Sequence, residues 1–135
     1  MTEPRFLLDT NVCIYLIEGL SDQAREKVET YAPGEVVTSA ICFAEVMRGV
    51  DPANPQAMKT SQRFFQIVEV RDFGRAAAEQ YAGIPFRRHR FDRLIAAHAM
   101  SLGAVLVTNN EADFADVPEL KVENWTVRCP KRSNA

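Results

Sequence analysis

The sequence predicts an α/β fold in which a central parallel sheet carries helices on both faces. Short apolar runs alternate with helical patterns along the chain, and strands separated by helices pair in parallel. The 135 residues are 47% hydrophobic and 25% charged, which is the composition of an ordinary globular domain with a buried core. We expect a single domain over residues 1–128, followed by a polar tail over residues 129–135.

Eleven segments make up this alternation. Five are predicted strands, at residues 5–8, 35–39, 67–70, 104–108 and 121–123. Six are predicted helices, at residues 12–18, 21–31, 40–49, 55–65, 75–82 and 91–102. Residues that favour helix ends support these bounds, because Ser21 suits an N-cap, Pro55 suits a first turn and Gly49 suits a C-terminal stop.

The composition argues against several classes of protein. Cys13, Cys42 and Cys129 are odd in number and form no C-x-x-C motif, which disfavours a disulfide framework or a zinc site. A net charge of -2 gives no overall attraction to nucleic acid, so a polyanion would have to meet a local basic patch. No apolar run approaches the ~18 residues of a membrane span. We therefore expect a cytoplasmic protein with no membrane segment.

Asp9 interrupts an apolar run at the point where the first predicted strand leads into a helix. Phe6, Leu7 and Leu8 precede it, and Thr10 begins the helical pattern. Ligands of open α/β sheets bind at the carboxyl ends of the strands, where this acid lies. The alternative is an ordinary N-cap.

Three further acids occupy comparable positions. Glu45 lies beside the buried stripe of the helix that follows the second strand, where an ion pair with Arg48 at i+3 is the alternative explanation. Asp92 begins the last predicted helix, and the helix dipole alone favours an acid there. Asp113 follows the fourth strand and would also suit a turn or a cap.

Taken together, the four acids predict a metal site. The carboxyl ends of parallel strands lie along one edge, so acids at those ends can converge on one crevice. Clustered carboxylates repel one another unless a cation neutralises them, and Mg²⁺ or Mn²⁺ prefers such oxygen ligands. A divalent cation in an acidic crevice is typical of phosphate chemistry, because it lowers the pKa of a bound water and stabilises in-line attack.

Five motifs follow one another at characteristic spacing over nearly the whole chain. They are Leu7-Leu8-Asp9-Thr10-Asn11, then Thr38-Ser39 with Glu45 and Arg48-Gly49, then residues 91–99, then residues 106–110 leading to Asp113-Phe114, and finally residues 122–125. In order and spacing they resemble PIN-domain ribonucleases of the VapC type, which are toxins of type II toxin–antitoxin systems. The resemblance implies a PIN-like three-layer fold and a Mg²⁺- or Mn²⁺-dependent endoribonuclease that cleaves tRNA or ribosomal RNA and so inhibits translation.

The resemblance also assigns residues by position. The acidic quartet that holds the metal ion and acts in catalysis corresponds to Asp9, Glu45, Asp92 and Asp113. The supporting polar residues correspond to Thr10, Asn11, Ser39 and Asn110. Related nucleases often place the fourth acid nearer the strand end, where this chain has Asn110. Because Asn110 carries no charge, we assign the acidic role to Asp113.

The same resemblance implies partners. Such toxins are paired with a VapB-type antitoxin, whose C-terminal segment blocks the acidic crevice, commonly with an Arg or Lys. They tend to form homodimers, and they meet promoter DNA only through the antitoxin.

A dense basic cluster directly precedes Asp92. Its members, predicted to clamp RNA phosphates, are Arg87, Arg88, Arg90 and Arg93. The alternative is a solvated run of charges that does not contact substrate. His89 lies in the same run, whereas His98 belongs to an Ala-rich helix and is expected to pack in the core or at an interface.

The alternative function from a different class is a noncatalytic RNA- or protein-binding module with the same PIN-like fold. Loss of the acids would be its signature. The chain keeps all four, which favours the enzyme.

Overall fold

A computed structural model describes residues 3–87 and 90–126. The tail predicted at residues 129–135 lies outside this range, as do Arg88 and His89. Within it, a single five-stranded sheet of parallel strands runs in the order β3-β2-β1-β4-β5. The strands are β1 (Phe6–Leu8), β2 (Val36–Ser39), β3 (Glu69–Arg71), β4 (Val105–Val107) and β5 (Val122–Glu123). The predicted parallel sheet is confirmed.

Strand β1 lies at the centre of the sheet. Leu7 stands opposite Val37 of β2 on one side and Leu106 of β4 on the other. Because all the strands are parallel, their carboxyl ends share one edge. The residues that follow β1, β2 and β4 are therefore brought to the same side of the molecule.

The helices connect successive strands. They are α1 (Thr10–Glu18), α2 (Asp22–Glu29), α3 (Ala40–Arg48), α4 (Pro55–Ile67), α5 (Arg75–Tyr81) and α6 (Asp92–Ser101). A short 3-10 helix, Glu111–Phe114, lies between β4 and β5. The sequence had suggested only a turn at that point.

One predicted boundary is wrong. Residues 67–70 were expected to form the third strand, but α4 continues through Ile67 and the strand begins at Glu69. The amide of Val68 still bonds to the Phe64 carbonyl at 2.9 Å, which extends the helix by two residues beyond the prediction. The side chain of Ile67 is exposed, so its apolar character was a poor guide to a buried strand.

Each face of the sheet buries its own hydrophobic core. Leu7, Val37 and Leu106 point towards α5 and α6, where they meet Ile95 and Tyr81. Residues that alternate with these along the strands, such as Phe6 and Leu8, pack instead on α1, α2 and α4. This alternation is the period of two of a β-strand, and it accounts for strands that are apolar at every position.

Two strands pass into helices without a connecting loop. Asp9 alone separates β1 from α1, and its carboxylate accepts a hydrogen bond from the Val12 amide as the N-cap of α1. Ser39 ends β2 and caps α3 in the same way, accepting from the Ile41 amide. Side chains at the first turns of α1 and α3 are therefore fixed close to the carboxyl edge of the sheet.

None of the helices within the described residues is both long enough and apolar enough to cross a lipid bilayer.

We expect Trp125→Ala to lower the free energy of unfolding by about 3–5 kcal/mol. Trp125 is 5% exposed, and its ring centroid lies 4.9 Å from that of Phe6 and 5.8 Å from that of Tyr31, so its removal leaves a cavity beside β1. Urea denaturation followed by circular dichroism measures the change. Leu20→Ala, at a side chain 63% exposed, is the control and should stay within about 0.5 kcal/mol of the wild type. Equal midpoints for the two variants would contradict this account of the core.

Candidate active site

A polar crevice of about 370 Å³ opens at the carboxyl edge of the sheet. The four acids predicted from the sequence all line it: Asp9, Glu45, Asp92 and Asp113. Three of the predicted supporting residues line it as well: Thr10, Asn11 and Asn110. Acids that are up to 104 positions apart in the chain are thus brought together by the parallel sheet, as the strand-end argument predicted.

Asp9 lies deepest in this group, with 8% of its surface exposed. Its Oδ1 accepts the Val12 amide at 2.9 Å, so the N-cap alternative is correct, and a cap leaves the metal-site prediction open. Burial raises the pKa of Asp9, and the negative charges of Asp92 and Glu45 raise it further, against the lowering effect of hydrogen bonds from Thr108 and Val12. Asp9, Glu45 and Asp92 therefore lie near enough for their charges to act on one another, although burial is the larger influence on Asp9.

Thr108 is a site residue that the sequence argument missed. It follows β4, is fully buried and lines the crevice, where its hydroxyl bonds to Asp9. The same hydroxyl accepts the amide of Asn110 at 3.1 Å. Its position directly after the strand that pairs with β1 was the available signal, because Asp9 follows β1 in the same register.

Glu45 is held by a neighbouring helix. The Thr10 hydroxyl, at the start of α1, donates to Glu45 Oε1 on α3. This contact is the arrangement expected if Thr10 supports an acid. The sequence also allowed an ion pair between Glu45 and Arg48. The described contacts of Glu45 do not include it.

The other two acids share a cation. Arg90 donates from Nε to Asp92 Oδ1 at 3.2 Å, its Nη2 also contacts Asp92 Oδ2, and that same nitrogen lies 2.8 Å from Asp113 Oδ2. The Asn110 amide donates to the same Asp113 oxygen. The side chains of Asn110 and Asp113 are thus in direct contact at the crevice, and the assignment of the acidic role to Asp113 stays a prediction.

The predicted basic cluster is divided by the structure. Arg87 is exposed and pairs with Asp116 at 3.2 Å, while Arg90 faces the acids. The prediction that Arg93 contacts RNA is wrong, because its side chain is completely buried. It bonds instead to Asp116 and to the Asp113 carbonyl. A residue without accessible surface cannot meet a phosphate. Arg88 lies outside the described residues.

Ser39 also departs from its predicted role as a support for the acids. It is fully buried and does not line the crevice; its hydroxyl lies 2.8 Å from His98 Nδ1. His98 is itself 2% exposed and packs edge-on against Phe73, as expected of a core histidine. Burial lowers the pKa of His98, with a further lowering by the charge of Arg71.

The donor chemistry of the crevice fits a hard divalent cation. Its lining offers carboxylate, hydroxyl and amide oxygens, and the residues of it that the structure describes include neither His nor Cys. The guanidinium of Arg90 between Asp92 and Asp113 shows that this part of the crevice attracts positive charge. In the present side-chain arrangement, no three Asp, Glu, His or Cys side chains of the described residues lie close enough together to hold one metal ion. A shared cation would therefore draw the carboxylates closer together.

We expect Asp9→Asn to be more stable than the wild type at pH 7 in buffer without divalent cations. The folded state raises the pKa of Asp9 above its ordinary value of 3.8, so it binds the proton more tightly than the unfolded chain does. The free energy of unfolding therefore falls as the pH rises from the pKa of the unfolded chain to the higher pKa of the folded protein. Above that interval, the charged carboxylate destabilises the folded state. Asn removes that charge and still caps the helix.

Urea denaturation of both proteins between pH 3.5 and 8 measures this difference. The advantage of Asp9→Asn should shrink as the pH falls and the wild-type carboxylate takes up its proton. A stability difference independent of pH would mean that Asp9 titrates alike in the folded and unfolded states.

Known proteins share both the sequence and the fold. The PIN domain family matches residues 6–120. The tRNA(fMet)-specific endonuclease VapC of Shigella flexneri is 30% identical over 131 residues, which cover 90% of this chain and 98% of that protein. Ribonuclease VapC2 of Rickettsia felis is 31% identical over 130 residues, which cover 89% and 97%.

Two solved complexes contain chains of the same fold. The DNA-bound VapBC of Salmonella typhimurium matches with a TM-score of 0.80 at 29% identity, over 90% of this chain and 98% of that one. VapBC2 of Rickettsia felis, bound to a DNA fragment from its promoter, matches with a TM-score of 0.78 at 30% identity, over 89% and 98%. The sequence matches and the fold agree with the resemblance carried by the five motifs, and the chain belongs to the VapC family of PIN-domain ribonucleases.

Proposed function

We propose that the protein is a Mg²⁺- or Mn²⁺-dependent endoribonuclease toxin that cleaves tRNA or ribosomal RNA and so inhibits translation. One observation carries the proposal: four acids from separate parts of the chain converge in one crevice at the carboxyl edge of the sheet. Clustered carboxylates repel one another at a cost in stability, and the pKa of Asp9 is raised first by burial and then by the charges of Asp92 and Glu45. A divalent cation is the partner that relieves this cost and also serves phosphodiester hydrolysis.

Each acid has its own support in the proposed site. Asp9, Glu45, Asp92 and Asp113 would hold the cation, which would stabilise charge on the phosphate and lower the pKa of the attacking water. Asp9 is fixed as the cap of α1 and by Thr108. Thr10 orients Glu45, and Asn110 orients Asp113. These contacts orient the carboxylates at the crevice, and a shared cation would draw them closer together.

RNA as the substrate is supported by the relatives and by the surroundings of the crevice. The Shigella flexneri relative is named for its action on tRNA(fMet), which favours tRNA as the class of target. Arg90 lines the crevice with its side chain 32% exposed, and Arg87, three residues before it in the chain, is 52% exposed; both would meet phosphates. To contact a phosphate, Arg90 would have to leave Asp92 and Asp113. A divalent cation would then neutralise these two acids in its place.

Partners follow from the solved relatives. Two of these are complexes of VapC with VapB, both bound to DNA. We propose that this chain is neutralised by a VapB-type antitoxin, that it meets promoter DNA only through that antitoxin, and that it forms a homodimer. The competing function is a noncatalytic binding module, and the experiments below separate the two.

Asp9→Asn should abolish cleavage of RNA while preserving the fold, with a rate loss of roughly 100-fold or more because several kcal/mol of charge stabilisation depends on the metal site. Purified wild type and variant are incubated with total RNA with and without Mg²⁺, and the new ends are mapped. Asp22→Asn, an acid on α2 whose side chain is 81% exposed, is the matched control and should cut at the wild-type rate. Cleavage by Asp9→Asn at that rate would overturn the mechanism, and no cleavage by any of the proteins would favour the binding module.

Millimolar Mn²⁺ or Mg²⁺ should raise the melting temperature of the wild type, because a ligand that binds only the folded state stabilises it. The rise should be smaller in Asp92→Asn, which removes one proposed ligand from the crevice. Differential scanning calorimetry without RNA measures both shifts, with Asp22→Asn again as the control. Equal rises in the wild type and in Asp92→Asn would locate the cation elsewhere on the protein.

A further inference from the structure

We propose that Arg93 and Asp116 are positioning residues that fix Asp113 beside Asp92 and thereby set the affinity of the crevice for a divalent cation. The inference rests on the proposed metal-dependent function. It extends that function to two residues that do not line the crevice.

A single nitrogen atom makes the contact. Arg93 lies in the first turn of α6, next to Asp92, and its Nη2 donates to the Asp113 carbonyl at 3.0 Å and to Asp116 Oδ1 at 2.8 Å. The second oxygen of Asp116 accepts from Arg87 at 3.2 Å. The 3-10 helix and the segment after it are thereby tied to α6, the helix that carries Asp92.

The burial of Arg93 has no explanation in stability alone. The side chain is fully buried, on the helix face that carries the buried Ala96 and Ala97 at i+3 and i+4. Its Nε and Nη1 find no hydrogen-bond partner among residues 3–87 and 90–126. Unpaired buried donors and a desolvated charge both cost stability, so an apolar side chain of the same size would suit this position better. What the arginine provides instead is the pair of bonds made by Nη2.

Those bonds control the less firmly held half of the acid cluster. Asp9 is fixed at the centre of the sheet, whereas Asp113 belongs to a 3-10 helix of four residues in which only Phe114 is buried. Arg93 bonds to the backbone carbonyl of Asp113. This bond fixes the backbone from which the Asp113 side chain extends, relative to α6. Metal affinity depends on how well the ligands are held before binding. Loss of this bond should therefore weaken the binding of the cation.

The test measures cation binding without RNA. Arg93→Met keeps the length of the side chain and removes its hydrogen bonds, and Asp116 retains Arg87 as a partner. We expect Arg93→Met to bind Mn²⁺ about 10- to 100-fold more weakly than the wild type, by electron paramagnetic resonance titration. Its urea midpoint should equal or exceed that of the wild type. Arg93→Lys should recover most of the affinity, because one ammonium can serve both acceptors.

A double-mutant cycle separates positioning from a general structural effect. In Asp113→Asn the acid that Arg93 positions has lost its charge, so adding Arg93→Met should change Mn²⁺ affinity little. Asp116→Asn supplies a second route to the same conclusion if Arg93→Met fails to fold. It should weaken Mn²⁺ binding by an intermediate factor that also disappears in the Asp113→Asn background.

Two results would overturn the inference while leaving the proposed function intact. Wild-type Mn²⁺ affinity in both Arg93→Met and Asp116→Asn would show that Phe114 alone positions the 3-10 helix. An equal loss with and without Asp113→Asn would show that Arg93 acts on the whole domain. A wild type that neither binds Mn²⁺ nor cleaves RNA would instead remove the proposed function, and the inference with it.

Discussion

The parallel pairing of β1 with β2 and β4 is the constraint on which the crevice depends. Leu8, the last residue of β1, stands opposite Thr38 and Val107, so the chain leaves all three strands at nearly the same height. Asp9 and Thr108 follow directly, and Glu45 is brought to the same edge by the helix after β2. A shift of one residue in this register would turn the buried side chains of a strand towards the opposite core and would separate the acids.

Most of the fold was accessible from the sequence because its signals are local. Apolar runs of strand length, capping residues such as Ser21 and stops such as Gly49 each act within a few residues. The boundary at Ile67 was missed because an apolar residue on the exposed side of a helix end resembles the start of a strand. The 3-10 helix at Asp113 was missed because four residues give no periodicity.

The site was predicted to the extent that it follows from strand ends. Asp9, Glu45, Asp92 and Asp113 were found because parallel strands place their termini together. The partners of Ser39 and Arg93 could not be found, since they depend on side-chain directions across α6 that spacing along the chain does not encode. A run of arginines in sequence proved to contain three environments in space: Arg87 exposed, Arg90 among acids and Arg93 buried.

Asp9 is the single residue between β1 and α1, so the chain has no spare residue at this point of the crevice. An insertion there would both break the cap and displace the carboxylate. This part of the domain therefore tolerates few changes of length. The connection between α5 and α6 is longer, and loops accept changes of length and sequence more readily than a direct strand-to-helix passage does. If the proposed function holds, changes in that connection would alter contacts with RNA while leaving the Asp9 cap of α1 in place.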